Sequence, residues 1–580
     1  MPKLIKFLKP YIWLILILAV FTYLQVVANL ALPDYMANIV NDGIILKNTN
    51  AIYTNGGLML LVTLAGAVSA AVVGYLASRI ATGFSRDVRK QVFTKVESFS
   101  ILEFNKFSTA SLITRSTNDI QQIQMVLIMV FRLVLMAPIM AVGALQKALI
   151  TAPSMSWIIG LATLTLLGMI ATLFIFGLPK FKIVQELIDK LNLVTRENLS
   201  GLRIVRAFNN EHREQEKFEK TNKELTKVNL FVNRLMSILQ PTMLLVLNLS
   251  VVAIVWFSLH LIDSGSIQIG NMLAFMQYTM QVIMSFLMIS IVFIMVPRAS
   301  VSGKRVAEVL ETDPAIKDPK KPLKLNPKGK GRIEFKDVTF TYPDADVPIL
   351  TGINFSAEPG QTTAFIGSTG SGKTTLINLI PRFYDVTAGQ ILLDGVDIRD
   401  LRLKDLHSQI GYVPQKGVLF SGTVKSNINY GNKKARVTNI ARSANIAQAS
   451  EFINRLDKKY NSEISQGGSN VSGGQKQRLS IARAITVKPK VYIFDDSFSA
   501  LDYKTDAQLR EALSMEIKNK TMLVVSQRIS TIINVDKIIV LDKGKIMGQG
   551  THRQLLKNNE IYKEIAYSQL SDKELKLQKL

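Results

Sequence analysis

At 580 residues the chain is too long for a single hydrophobic core, and its 48% apolar content with a positive mean hydropathy assigns part of it to a membrane. The net charge of +25 would suit nucleic acid, but the basic residues sit beside the apolar spans and in one linker, which speaks for membrane orientation instead. With no cysteine there is no disulfide, thiolate nucleophile or cysteine-ligated metal, and four dispersed histidines (His212, His260, His407, His552) argue against a histidine-rich metal site.

Lys3, Lys6 and Lys9 lead into an uncharged run over 11–32, whose 22 residues at ~1.5 Å each suffice for a ~30 Å hydrocarbon layer. The run is too long for a cleaved leader and more follow, so it reads as the first crossing. Runs over 56–77, 125–145, 155–177, 239–261 and 272–296 complete six helical spans. Between spans two and three lie seven Lys or Arg and between four and five lie twelve, whereas the other three gaps hold only Lys47 and Lys147. Lys and Arg gather on the cytoplasmic side, which predicts a multi-pass cell-membrane protein with both termini and both long loops in the cytoplasm.

Apolar residues at 181, 184, 187, 191 and 194 recur at helical spacing, so the long loops read as extensions of the spans. Two stretches, 104–119 and 197–208, carry small and polar residues that break this pattern. They are either solvated turns or short helices. In the sixth span, methionines at 272, 276, 280, 284 and 288 beside Gln277 and Gln281 drift ~40° per step and wind around the helix. Flexible methionines suit a wall that accepts varied ligands, although plain helix packing explains them as well. Arg132, alone in the third span, reads either as facing a polar cavity or partner or as a snorkelling residue.

A polar helix runs to residue 310, and a linker with Pro314, Pro319, Pro322 and Pro327 follows. The predicted divisions are an all-α six-helix transmembrane domain over 1–311, a linker over 312–330, and a cytoplasmic α/β domain over 331–580 that opens on strand-like runs at 333–335 and 338–341.

In the second domain the nonamer Gly367, Ser368, Thr369, Gly370, Ser371, Gly372, Lys373, Thr374 and Thr375 follows an apolar run at 363–366 and precedes a helical one at 376–380. This is the slot of a phosphate-binding P-loop: backbone N–H groups curl around phosphates, Lys373 reaches the β and γ oxygens, and the Thr374 hydroxyl ligates magnesium. The strand-like 491–496 ends in Asp495 and Asp496, and the first is placed to hold the same magnesium. Between the nonamer and this acidic strand, Ser472, Gly473, Gly474 and Gln475 open a helix whose amino end presents donors to an anion.

With these motifs the chain resembles the ATP-binding cassette exporters, specifically half-transporters with six spans fused to one nucleotide-binding domain, over nearly its whole length. The resemblance implies ATP and Mg2+ as cofactors, Tyr342 as the aromatic stacking on adenine, and Gln415 as the glutamine that senses magnesium and contacts the membrane domain. It also implies that Ser499 to Asp502 cross the dimer, that Ser472 to Gln475 bind the nucleotide held by the opposite chain, and that 104–119 and 197–208 form docking helices.

Two departures stand out. Asp496 replaces the family's usual glutamate, and Gln527 replaces its switch histidine, so a shorter acid and a neutral amide occupy the catalytic positions. Gln466 and Gly467 replace the usual Glu-Arg pair before the signature. The resemblance then implies the degenerate subunit of a heterodimeric exporter of amphipathic drugs, with a slow site of its own and an intact signature lent to its partner. Alternatives are a lipid or peptide exporter, a homodimer, an importer on the same fold, or a membrane GTPase or kinase; the last lacks an Asn-Lys-x-Asp motif.

Overall fold

The computed structural model describes residues 2–516 and 518–570, so the last ten residues of the expected second domain lie outside the described residues. The chain divides into two units, one of 1–97 with 107–312, the other of 98–106 with the chain from 313 onward.

The first unit is helical throughout: α1 (Ile12–Asn38), α2 (Thr49–Glu97), then, past α3 (Ile101–Phe107), α4 (Thr109–Ser116), α5 (Asn118–Met129), α6 (Met136–Thr151), α7 (Ser156–Ala207), α8 (Glu211–Asp263) and α9 (Ile269–Glu311). Six stretches within 4–45, 49–97, 109–151, 153–207, 211–263 and 269–289 are long and apolar enough to cross a membrane. Their outer faces carry Trp13, Leu16, Val20, Leu61 and Leu64 exposed, a surface that lipid tolerates and water does not.

Packing inside the unit depends on small residues. Ala144 and Ala148 of α6 pack with Val26 and Leu30 of α1 and Phe275 and Tyr278 of α9. A Cβ at Gly143 would fall 2.4 Å from Leu30 Cδ1, so glycine there leaves room for the Leu30 side chain of α1. At one end of this core Asp34 accepts from the Tyr278 hydroxyl at 2.5 Å and from Lys147 Nζ at 2.6 Å, joining the three helices.

Several expectations change here. The stretch 197–208 does not form a separate short helix, because α7 continues to Ala207 and the chain turns only at 208–210, where Asn209 has φ 52°. A glycine inside a helix costs only ~1 kcal/mol, so Gly201 cannot break a 52-residue helix stabilised along its length. The stretch 104–119 does break, at Ser108 (φ 58°) and at Thr117. Yet α4 belongs to the first unit, and the segment grouped with the second unit is 98–106. The sixth span and the polar helix after it are one element, α9. Along α9, Met272 and Met276 pack into the core while Met280 and Met284 are exposed, as a winding stripe requires. Gln281 Nε2 donates to the Asn29 carbonyl of α1 at 3.2 Å, so this glutamine fastens two helices. Arg132 sits in a π-helical turn, Val130–Val134, with its side chain exposed.

The second unit is an α/β domain. Its strands are β1 (Ile333–Phe340), β2 (Leu350–Ala357), β3 (Thr362–Ile366), β4 (Ala388–Leu393), β5 (Val396–Asp397), β6 (Ile410–Val413), β7 (Gly422–Thr423), β8 (Glu463–Ile464), β9 (Val491–Asp495), β10 (Thr521–Val525), β11 (Lys537–Asp542) and β12 (Lys545–Gly550). Its helices are α10 (Lys373–Leu379), α11 (Leu403–Ser408), α12 (Val424–Ile428), α13 (Val437–Ile446), α14 (Ser450–Arg455), α15 (Gly473–Val487), α16 (Tyr503–Glu516), α17 (Ile529–Ile532), α18 (His552–Asn558) and α19 (Glu560–Tyr567). The runs 333–335 and 338–341 prove to be a single strand with two register shifts. The main sheet has the order β12-β11-β3-β10-β9-β6, parallel except for β12, and a four-stranded antiparallel sheet β2-β1-β4-β5 accompanies it. The central parallel strands are buried on both faces and read as unbroken apolar runs.

Candidate nucleotide site

Sheet register brings the site together. Val525 of β10 pairs with Phe365 of β3 on one side and Asp495 of β9 on the other. Asp495 at the end of β9, and just beyond these strand ends the P-loop, Asp496 and Gln527, therefore emerge side by side at the carboxyl ends of parallel strands, where open α/β sheets bind ligands.

The loop conformation explains its glycines. Gly372 has φ +97°, which only glycine adopts without strain, and a Cβ on Gly367 would lie 2.0 Å from the Leu541 carbonyl oxygen. The loop ends at α10, whose first residue, Lys373, is 7% exposed and donates from Nζ to the Gly367 and Ser368 carbonyls at 2.9 and 2.7 Å and to Ser371 Oγ at 3.3 Å. Burial lowers the lysine's pKa, and the carboxylates of Asp496 and Asp495 oppose that shift.

Asp495 is 3% exposed, and its Oδ1 accepts from Thr374 Oγ1 at 3.1 Å. Burial raises its pKa against the Thr374 hydrogen bond and the Lys373 charge, with Asp496 adding to the rise. Asp496, at φ 45°, is raised chiefly by burial too, opposed by hydrogen bonds from Gln415, Ser499 and the Gln527 backbone. Gln415 Nε2 stands 3.4 Å from Asp496 Oδ2.

A cavity of about 390 Å³ opens among Tyr342, Ile349, Thr369, Gly370, Gly372, Lys373, Thr374, Thr375, Gln415, Asp495, Asp496, Val525 and Gln527. The Tyr342 hydroxyl hydrogen-bonds Thr375 Oγ1 at 3.0 Å, and its ring meets Tyr384 edge-on. Paired hard oxygens from Thr374 and Asp495, with the Gln415 amide nearby, match what Mg2+ selects, and the buried lysine with its loop of backbone donors suits a polyphosphate.

Gly367, Ser368 and Ser371 stay out of the cavity lining and hold Lys373 instead. Ser472, Gly473, Gly474 and Gln475 are not in the cavity either. They open α15 through a reciprocal cap, in which Ser472 Oγ accepts from the Gln475 N–H and Gln475 Oε1 from the Ser472 N–H. A Cβ on Gly473 would meet nothing within 4 Å, so no contact inside this chain requires glycine there. Ile349 and Val525 were missed from sequence because an apolar residue at a pocket wall leaves no motif. Arg528, which donates to the Ser499 carbonyl at 3.1 Å, carried one signal, its place beside Gln527.

Residues 15–286 match the family model described as ABC transporter transmembrane region, and residues 350–499 match the one described as ABC transporter. An uncharacterized ABC transporter ATP-binding protein of Mycobacterium tuberculosis is 41% identical over 567 residues, covering 97% of each chain. An ATP-dependent lipid A-core flippase of Syntrophus aciditrophicus is 34% identical over 82% of this chain and 79% of its own. A putative multidrug export ATP-binding/permease protein of Staphylococcus aureus is 33% identical over 85% of each. In fold, the chain is similar to a bacterial Atm1-family ABC exporter solved with ATP bound, with TM-score 0.78 at 23% identity over 96% of this chain and 98% of that one.

Proposed function

Since this chain belongs to the ABC transporter family, with an exporter-type membrane region fused to an ATP-binding domain, we propose that it drives efflux of amphipathic compounds as one subunit of a heterodimer. One observation carries the division between subunits: the cavity holds Asp496 and Gln527 where the family's resemblance calls for glutamate and histidine, while the signature residues stand intact and outside it. A carboxylate one methylene short sits roughly 1 Å from where it could orient water, and loss of a positioned base costs ~10²–10⁴ in rate. Gln527 can donate a hydrogen bond to phosphate but cannot offer it a positive charge.

In this reading Tyr342 faces the base, the P-loop amides and Lys373 grip the phosphates, and Thr374, Asp495 and Gln415 would hold Mg2+, which neutralises phosphate charge when bound. The site clamps nucleotide more than it splits it. Ser472 to Gln475 complete the partner's site, so the exposure of Ser472 and Gly473 in a single chain is part of the arrangement. Both termini and the nucleotide domain are assigned to the cytoplasm by the Lys and Arg bias of the long loops.

Amphipathic drugs as cargo are favoured by the Staphylococcus relative's name and by the exposed Met280 and Met284. A lipid cargo is the second reading, favoured by the flippase relative. The test is ATPase activity of the purified chain alone and with candidate partners. Weak turnover alone, strong turnover in a pair, and little change on Asp496→Asn in that pair are expected. Robust turnover of the isolated chain, unaffected by Asp496→Asn, would overturn the heterodimer.

A further inference from the structure

Gln527 depends for its placement on a residue near the far end of the chain. Its loop spans only 526–528, between the end of β10 and the start of α17. Two residues past α19, Gln569 reaches this loop with both ends of its amide. Its Oε1 accepts from the Ile529 N–H at 2.9 Å, and its Nε2 donates to the Gln527 carbonyl at 2.8 Å. The Ile529 N–H opens α17 and has no intrahelical acceptor, so Gln569 supplies one. From the other side, the Gln527 backbone is among the groups that lower the Asp496 pKa against its burial. The Gln527 carbonyl is therefore held from the Gln569 side, and Gln527 lines the cavity.

The platform beneath Gln569 is firm. Tyr562 and Ala566 of α19 are fully buried in one cluster with Ile529 and Ile532 of α17. Gln569 itself is fastened by its N–H to the Ala566 carbonyl at 3.2 Å. A neutral amide recognises phosphate only through a well-placed hydrogen bond, unlike a cation, whose attraction tolerates displacement. A loop carrying Gln527 thus has more need of an external clamp than one carrying a charged histidine.

We propose that Gln569 is a positioning residue for the ATP site: its two-ended amide holds the loop so that the Gln527 side chain stays in the cavity and slows release of bound nucleotide. This rests on the ATP-site reading of the cavity and is independent of whether the partner is a second copy or a different chain.

The test uses the full chain in lipid nanodiscs and the release rate of a fluorescent ATP analogue with Mg2+. Gln569→Ala removes both bonds, while Gln569→Glu keeps the acceptor for Ile529 and loses the donor to Gln527. Each should speed release about three- to tenfold, the loss of one or two ordinary hydrogen bonds. Gln527→Ala should do the same, and Gln527→Ala with Gln569→Ala should be no faster than either alone, because one acts through the other. Effects that multiply, or a Gln569→Glu chain that behaves as wild type, would overturn the proposal. Lys373→Ala is the control: lost binding there with unchanged release in Gln569→Ala sinks only the role of Gln569. Retained binding in Lys373→Ala would remove the ATP-site reading and this proposal with it.

Discussion

Asp495 gives the site a pH dependence of its own. Burial raises its pKa, so the protonated acid persists to a higher pH than an ordinary aspartate at ~3.9. In the proposed site a proton and a magnesium ion would compete for the same oxygens, since a carboxylate must be ionised to hold a metal. Mg2+-dependent ATP binding should therefore weaken as pH falls, beginning above the usual carboxylate range, and calorimetric titration at a series of pH values would show it. Asp495→Asn should cut Mg2+ affinity by at least ~10-fold and remove this pH dependence. An Asp495→Asn chain that kept the wild-type pH profile would mean another group binds the metal. At this scale the P-loop and the two aspartates were legible because phosphate and magnesium chemistry restrict which residues can serve. Gln569 was not, since nothing in the sequence says that a residue some forty positions further on folds back on Gln527.

Among the elements, the segment 98–106 is the one whose role the sequence blurred. Small and polar residues over 104–119 marked the region, but they report where α3 and α4 break at Ser108 and not which piece packs with the nucleotide unit. The deciding contact is Glu103, 4% exposed, whose Oε1 accepts from the Ala315 N–H at 3.0 Å and whose Oε2 accepts from the Ser100 N–H at 2.8 Å and Oγ at 2.6 Å. Burial pushes this carboxyl up, yet the hydrogen bonds from Ser100 and Ala315 outweigh it and hold the pKa below the usual range. A lowered folded pKa gives stability that is complete above the unfolded value of ~4.3 and disappears as pH falls through the folded one. Glu103→Ala should strip the Ala315 N–H and the Ser100 groups of their acceptor at a cost of ~1–3 kcal/mol, read as a lowered Tm at neutral pH. The difference from wild type should shrink towards acid pH, where wild type also loses the charge; a gap that stays constant with pH would refute the ionised clasp. Residues 197–208 mislead in the opposite sense: Ser200 and Gly201 look like a break, but helix on both sides absorbs their weak propensity.

For the whole molecule, the division into six spans and an α/β domain was legible because membrane thickness and strand periodicity leave plain marks, whereas the second chain leaves only surfaces that one chain does not use. The tip of α7 and α8 is a surface this chain leaves open, with Leu199, Ile204 and Phe208 each about two-thirds exposed or more. The amino end of α15 is another, and it allows a decisive separation of roles. Gly473 is exposed, has open space where a Cβ would go, and takes no part in lining this chain's cavity. Gly473→Glu would set a negative charge at a helix start that, in the proposed pair, faces the partner's nucleotide, where it repels phosphate and blocks the backbone donors. Turnover of the pair should fall by ~10² or more, the scale of losing positioned donors in a closed site. ATP binding in this chain's own cavity should stay at wild-type strength, measured by nucleotide titration of the isolated chain. Lys373→Ala should give the converse, with its own binding lost and a substantial part of the pair's turnover kept. If Gly473→Glu weakened the chain's own binding, or left the pair's turnover intact, the signature would not be serving an opposite subunit.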